Sequence, residues 1–334
     1  MKDKAGTILA AVVLIFAVCC PVEAAGSVMG AMTIWAFSFV PALLPVFVVT
    51  PAITCPEAMR LYRAALSKFC QKAFGIPGEA SAAAAVGLMA GSPAGTGALA
   101  GIKCKKCEIC RAVIMASGLS PAFISTIGSM AGGIGGSLAV AQIIAILSTG
   151  WLLRYAWSDE DEEVEVPSRT TGFLSGAGMA AVNIAGVLCY MTLFSVVAAI
   201  ISKFAPGLGQ TLLPFLEAAS GLAAIASSDL PYSAKVMLLA FAGGLGGLCV
   251  MAQNLAKISF MPPARLFLGK LMHATITALC LPPILALPGG GFAPVGNSPW
   301  ICAAAVIIIF VASECRRKFN FFRLTRDVSA IIID

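Results

Sequence analysis

Charge is scarce in this sequence. Only 11% of its 334 residues are Asp, Glu, Lys or Arg, where soluble domains carry about 25%. That scarcity excludes a globule surrounded by water. Histidine occurs once, and Tyr and Trp four times each. There is no Walker A loop, no HExxH and no GxSxG. The chain is therefore not expected to be an enzyme, or to drive anything by its own ATP hydrolysis. No aromatic-rich basic surface accompanies the net charge of +6, so no nucleic-acid partner is expected.

What is present is apolar. Hydrophobic residues make up 59%, and the mean hydropathy is +0.93. The composition describes an all-α, polytopic integral membrane protein, one membrane domain over 1–334. Eight spans are expected, at about 5–22, 28–52, 111–130, 132–153, 172–201, 231–257, 264–287 and 299–314. The first is read as a membrane helix because another follows at once; a cleaved signal peptide is the alternative. Six of the sixteen acids lie in "SDEDEEVEVP" (158–167), read as a solvated linker within 154–171 between the halves. The tail 315–334 is basic.

Two segments are too broken for simple spans. "GEASAAAAVGLMAGSPAGTGALAG" (78–101) has six glycines and a proline, and 211–230 is similar. Arg60, Arg63, Lys68 and Lys72 precede the first, and Lys103, Lys105, Lys106 and Arg111 follow it. Basic flanks on both sides place both on the cytoplasmic face, which makes the segment re-entrant and both chain termini cytoplasmic. Re-entrant backbone is tolerated where it is buried in protein or lines a polar cavity.

An internal repeat is also expected, over 60–153 and 172–314. "AGGIGGSLAVAQ" (131–142) matches "AGGLGGLCVMAQ" (242–253) at seven of twelve positions, and Glu79 and Pro93 are spaced like Glu217 and Pro231. Paired, broken hydrophobic segments point to a transporter's substrate site. The glycine motifs run in the same direction in this span count, whereas an inverted repeat needs opposite directions. Convergent glycine packing is the alternative.

The pieces "GLMAGSPAGTGAL" (87–99), "SPAFISTIG" (120–128) and "SSDLPYSAKVMLLAFAGGLGGLCVMAQ" (227–253) resemble the sporulation integral membrane protein YlbJ family, built on the nucleoside-recognition Gate domain. The similarity covers roughly 60–310 in order. The resemblance implies a fold related to concentrative nucleoside transporters, and movement of dipicolinic acid across the outer forespore membrane of endospore-forming bacteria. Three positions depart from the family pattern. Ser92 precedes Pro93 where the family has Tyr, Gly97 stands where it has Lys, and Ser117-Gly118 replace an Asn pair; Lys235 is kept.

The expected cargo is a small anionic carboxylate, with a nucleoside or related solute as the alternative. A scaffold or sensor for cortex assembly that moves no solute is the rival of another class. Substrate contacts are expected from Ser92, Thr96, Ser227, Ser228, Ser233 and Lys235, with Lys235 snorkelling to the interface as the plainer reading. Asp229 is read as a cap for the helix after Pro231, as a partner of Lys235, or as an ion contact. Glu79 and Glu217 are candidates for Na+ or proton coupling, or complements to helix N-termini. Gln142, Gln253 and Asn254 are read as interhelical hydrogen-bonding groups. His273 is read as structural, with a proton relay as the alternative. Cys104, Cys107 and Cys110 have CxxCxxC spacing but no fourth ligand in register, so no cofactor is expected and a metal site is the weaker reading. Homo-oligomerisation is expected by fold analogy alone.

Overall fold

The computed structural model describes residues 2–53, 55–158, 162–166 and 173–287. The expected span at 299–314 and the basic tail lie outside the described residues, as does part of the acidic run. The fold is helical with one small ribbon. It begins with α1 (Lys2–Cys19), α2 (Pro21–Ile34), a π-helical turn (Trp35–Phe39) and α3 (Val40–Ile53). Pro41 has no N–H to offer the carbonyl four residues back, and the ladder widens just before it. The indole of Trp35 donates to the Ile184 carbonyl at 3.0 Å, tying this turn to a later helix.

Next comes α4 (Pro56–Phe74), an amphipathic helix, ended by Gly75 in the left-handed region. Two similar series follow. The first is α5 (Ala80–Ala90) with α6 (Ala94–Gly97), α7 (Lys106–Ala116) with α8 (Pro121–Met130), then α9 (Gly135–Leu153). After α10 (Phe173–Phe204) the second is α11 (Leu208–Leu216) with α12 (Ala218–Ala226), α13 (Tyr232–Leu245) with α14 (Gly247–Lys257), then α15 (Pro263–Ala286). Each series is a short helix pair, a broken long helix and an unbroken one.

Among the described residues six helical stretches are long and apolar enough to cross a membrane: Pro21–Phe39, Lys106–Met130, Gly135–Leu153, Ala180–Phe204, Tyr232–Lys257 and Pro263–Ala286. Five of them correspond to expected spans, while Pro21–Phe39 covers only the first part of the expected 28–52. The apolar part of α1, Gly6–Cys19, is shorter.

Both pairs fold back on themselves through glycine. A Cβ on Gly95 would lie 2.6 Å from the Gly87 Cα and 2.5 Å from the Ala116 carbonyl oxygen, so α6 lies on α5 and both press on α7. Gly221 likewise meets the backbone of Pro214, bringing α12 onto α11. These small-residue runs let backbones approach as larger side chains would forbid. The segment 78–101 starts and ends at the same end of the molecule: Arg63 pairs with Glu79 at its entry, and Gln71 donates to Glu108 at 3.0 Å just past its exit.

The two sequence matches join positions that are not equivalent. Gly132 and Gly133 form the turn between α8 and α9, whereas Gly246 and Gly247 form the break between α13 and α14. Glu79 and Pro93 frame the first arm of a pair, Glu217 and Pro231 the second arm. The glycine match is convergence on backbone that needs positive φ, and the conflict over direction disappears with it.

The acidic run is more than a solvated linker. Its residues Glu163–Glu165 form β2, antiparallel to β1 (Lys103–Lys105), with Lys103 opposite Glu165 and Lys105 opposite Glu163. Lys106 pairs with Glu162 at 2.9 Å. The exposed pairs add little individually; backbone pairing fixes the ribbon. Beside it the buried guanidinium of Arg111 donates to the carbonyls of Gly75 at 2.8 Å and Ala156 at 3.0 Å, and to the Ser158 hydroxyl at 3.1 Å. It joins the end of α4 to the chain after α9. Arg111→Met is expected to lower stability by about 2 kcal/mol, since buried carbonyls lose their donor. Thermal unfolding in detergent measures this.

Candidate functional site

Each short pair places its turn on the break of a long helix. Gly91, at φ 72°, begins the turn of the first, and the Ser92 N–H donates to the Gly118 carbonyl at 2.7 Å. Gly118 lies in the α7–α8 break, 117–120, which Ser120 closes as N-cap of α8, followed by Pro121. In the second pair Glu217 marks the turn. Its buried carboxylate accepts from the N–H groups of Ala219 at 2.8 Å and Ser220 at 2.6 Å, capping α12. Gly247, in the α13–α14 break, packs there: a Cβ on it would lie 3.2 Å from the Ala218 nitrogen and the Leu216 oxygen.

Two polar clusters follow from this geometry. One joins the first pair to α14. The hydroxyls of Ser92 (2.9 Å) and Thr96 both donate to the Asn254 side-chain oxygen, and all three residues are buried. The Asn254 amide donates in turn to the Val250 carbonyl at 2.7 Å. One turn on, the Lys257 ammonium donates to the Asn183 side-chain oxygen at 2.9 Å and lies 3.4 Å from where a Gly97 Cβ would be. A cation thus adjoins the position where the resembling family carries its own lysine, but it comes from a different helix.

The other cluster sits on α15. Lys270 is wholly buried (0% exposed). Its ammonium donates to the Ser117 carbonyl at 3.2 Å, in the first break, and lies 3.7 Å from where a Cβ on Gly246 would be, in the second. The His273 Nδ1 is 3.2 Å away. Among the described residues Lys270 has no carboxylate partner. Among the described residues neither the nitrogen nor the oxygen of the Gln142 amide, from α9, has a hydrogen-bond partner, and the His273 ring faces the Gln142 backbone. A buried ammonium among neutral groups is costly, by several kcal/mol. Unsatisfied polar atoms beside it are rare in folded proteins.

Of the expected site residues, Ser92 and Thr96 come together, with Asn254 as a third member. Gln253 donates to the Cys249 sulfur at 3.2 Å within α14. The others do not join them. Ser227, Asp229 and Ser233 are exposed, and Ser228 and Lys235 are half-buried, all around the α12–α13 junction. Asp229 neither caps α13, whose N-cap is Pro231 without a side-chain bond, nor pairs with Lys235. The reason is the helix start: Pro231 opens α13, so Lys235 falls in its first turn, near the end of the span. Glu79 does not cap α5; it pairs with Arg63. Sequence reasoning did not single out Lys270. Yet Lys270 and His273 are three apart in an apolar span, a spacing that puts both on one face.

Among the described residues no three His, Cys, Asp or Glu side chains converge as metal ligands. Cys104 lies on β1, and Cys107 and Cys110 are buried in α7. Burial, and then the Glu108 carboxylate, push the Cys104 thiol far above its ordinary value, outweighing the neighbouring lysines. Less thiolate is present at any given pH. Cys104 is therefore expected to alkylate more than tenfold more slowly than a free thiol at pH 8, and Glu108→Gln to accelerate it; iodoacetamide labelling followed by mass spectrometry reads both.

Comparison of the chain with protein-family models, with curated proteins and with solved structures finds no match in any of the three.

Proposed function

We propose that this protein is a membrane transporter of a small anionic carboxylate. The observation that carries the reading is Lys270, a buried ammonium held between the breaks of two discontinuous spans with neutral partners only. Broken helices expose N–H and C=O groups at membrane depth, where lipid would penalise them and a polar solute makes use of them. A carboxylate entering beside Lys270 supplies the missing counter-charge. The turns of both helix pairs rest on these breaks, so moving either pair opens or covers the same place. The resemblance to the YlbJ family names the carboxylate as dipicolinate and the setting as the outer forespore membrane during sporulation. The Ser92, Thr96 and Asn254 cluster is neutral and rich in hydroxyl and amide groups, which favours a nucleoside-like solute as the second reading.

The test is flux of labelled dipicolinate into proteoliposomes, with uridine alongside and Na+ or proton gradients imposed in turn. Dipicolinate flux well above that of protein-free vesicles is the expected result. Lys235→Ala is expected to retain most of it, because that side chain is at the end of its span. Flux of uridine alone selects the second reading, and no flux of either under any gradient favours the scaffold.

A further inference from the structure

The ribbon end of the molecule carries a cavity of about 610 Å³. Its walls include Lys68 and Lys72 of α4, Lys105 of β1, Arg111 of α7 and Arg154 after α9, with Glu108 the one acid among them. Among the described lining residues five cations face one carboxylate. Arg154 is positioned by stacking over the rings of Trp151 at 4.2 Å and Tyr155 at 4.8 Å. Arg111 is engaged by protein carbonyls and Arg154 donates to the Trp151 carbonyl at 3.2 Å, so the charge offered to a ligand comes chiefly from Lys68 and Lys72, with Arg154 beside them.

A second, independent feature adjoins this cavity. The outward face of α4 is uncovered and mixed: Leu61 and Phe69, 64% and 62% exposed, stand among basic side chains. Lys68 and Lys72 lie on this face and are exposed too. The opposite face, with Cys70, is buried against the body. Exposed apolar side chains among lysines, on a helix too polar to span, are the pattern of a helix lying in a membrane interface.

We infer that this cavity binds the phosphate-bearing headgroup of an anionic phospholipid, whose acyl chains lie along Leu61 and Phe69 of α4. The two observations require each other in this reading. The cations select a negative headgroup, and the neighbouring apolar side chains select a ligand with a hydrocarbon part, which free phosphate lacks. Gly75 gives the cavity its shape: a Cβ there would fall 2.7 Å from the Arg111 guanidinium and against the Arg154 carbonyl, so only glycine lets the end of α4 close this wall. The inference does not rest on transport.

The experiment uses the full chain, purified in detergent and titrated with phosphatidylglycerol or phosphatidylcholine, with bound lipid counted by native mass spectrometry. Phosphatidylglycerol is expected to bind at least tenfold more tightly. The variant Lys68→Gln/Lys72→Gln is expected to weaken it about 25-fold, at about fivefold for each lysine near a lipid surface, while leaving phosphatidylcholine unchanged. Both side chains are exposed, and unaltered thermal unfolding of the variant verifies its fold. Inorganic phosphate at 10-fold excess over the lipid is expected not to displace it. Equal retention of both lipids, an unweakened variant, or displacement by inorganic phosphate would each overturn the assignment, the last by showing a site for a free anion.

Discussion

Lys270→Met is expected to reduce carboxylate flux at least 100-fold while leaving thermal stability equal or higher. The two halves of this result come from one physical fact. Lys270 has no exposed surface and no carboxylate partner among the described residues, so carrying a proton there costs free energy. Methionine of similar length keeps the packing between the two breaks and removes the desolvation cost. Replacing buried charge with apolar side chains is neutral or stabilising, by about 1–4 kcal/mol in known cases. A lysine kept only for structure would give the opposite outcome, loss of stability with flux in proportion to folded protein. Flux per folded molecule in proteoliposomes, set beside unfolding temperature in detergent, separates the two. A variant with full flux would remove Lys270 from the site and with it the main support for an anionic cargo. His273→Gln is the milder companion, expected to lower flux less because the ammonium stays.

Gly95→Val is expected to destabilise the protein by at least about 3 kcal/mol, the upper range for overpacking. The first added carbon already meets backbone on two sides, the Gly87 Cα at 2.6 Å and the Ala116 oxygen at 2.5 Å, and backbone cannot rotate away as a side chain can. The control is Gly136→Ala on α9, where nothing lies within 4 Å of the added carbon. There the helix gains up to about 1 kcal/mol from alanine's propensity. Paired unfolding curves of the two variants give the comparison. Equal behaviour would mean that the α5–α6 pair does not press on α7 as described.

Much of the membrane architecture was legible, because length and apolarity determine what can span. Five expected spans lie where the helices lie, and the broken character of 78–101 and 211–230 was visible in their glycines, prolines and small residues. The break in α7–α8 was not foreseen. Ser117 to Ser120 reads as an ordinary apolar continuation, and only the Ser-Pro that restarts the helix marks it. The glycine-motif match misled for a related reason. Positive-φ glycine turns share a composition wherever they occur, so identity of the glycine motifs carried no information on equivalence.

The site was half legible. Ser92 and Thr96 were found from the oddity of polar residues in a membrane segment, and that oddity survives as a buried cluster. Asn254 was read as a packing group, although it is the acceptor the other two share. Lys235 drew attention because it follows a proline that starts a helix, yet that start is what leaves it near the span's end. Lys270 went unseen, since Arg265 lies one turn and a half earlier and nothing in the local sequence sets the two cations apart. In the structure Arg265 lies over the Trp157 ring at 5.0 Å while Lys270 is inside. Depth within a helix, and not local charge density, separates the two, and that is a tertiary property.

The β1–β2 ribbon has a consequence for biosynthesis. The first strand leaves the ribosome about sixty residues before its partner, a delay of roughly 3–12 s at ordinary elongation rates. During that interval α7, α8 and α9 must be inserted with Lys103 to Lys105 unpaired. The ribbon closes only once the acidic strand emerges, so it serves as a late latch on the first series.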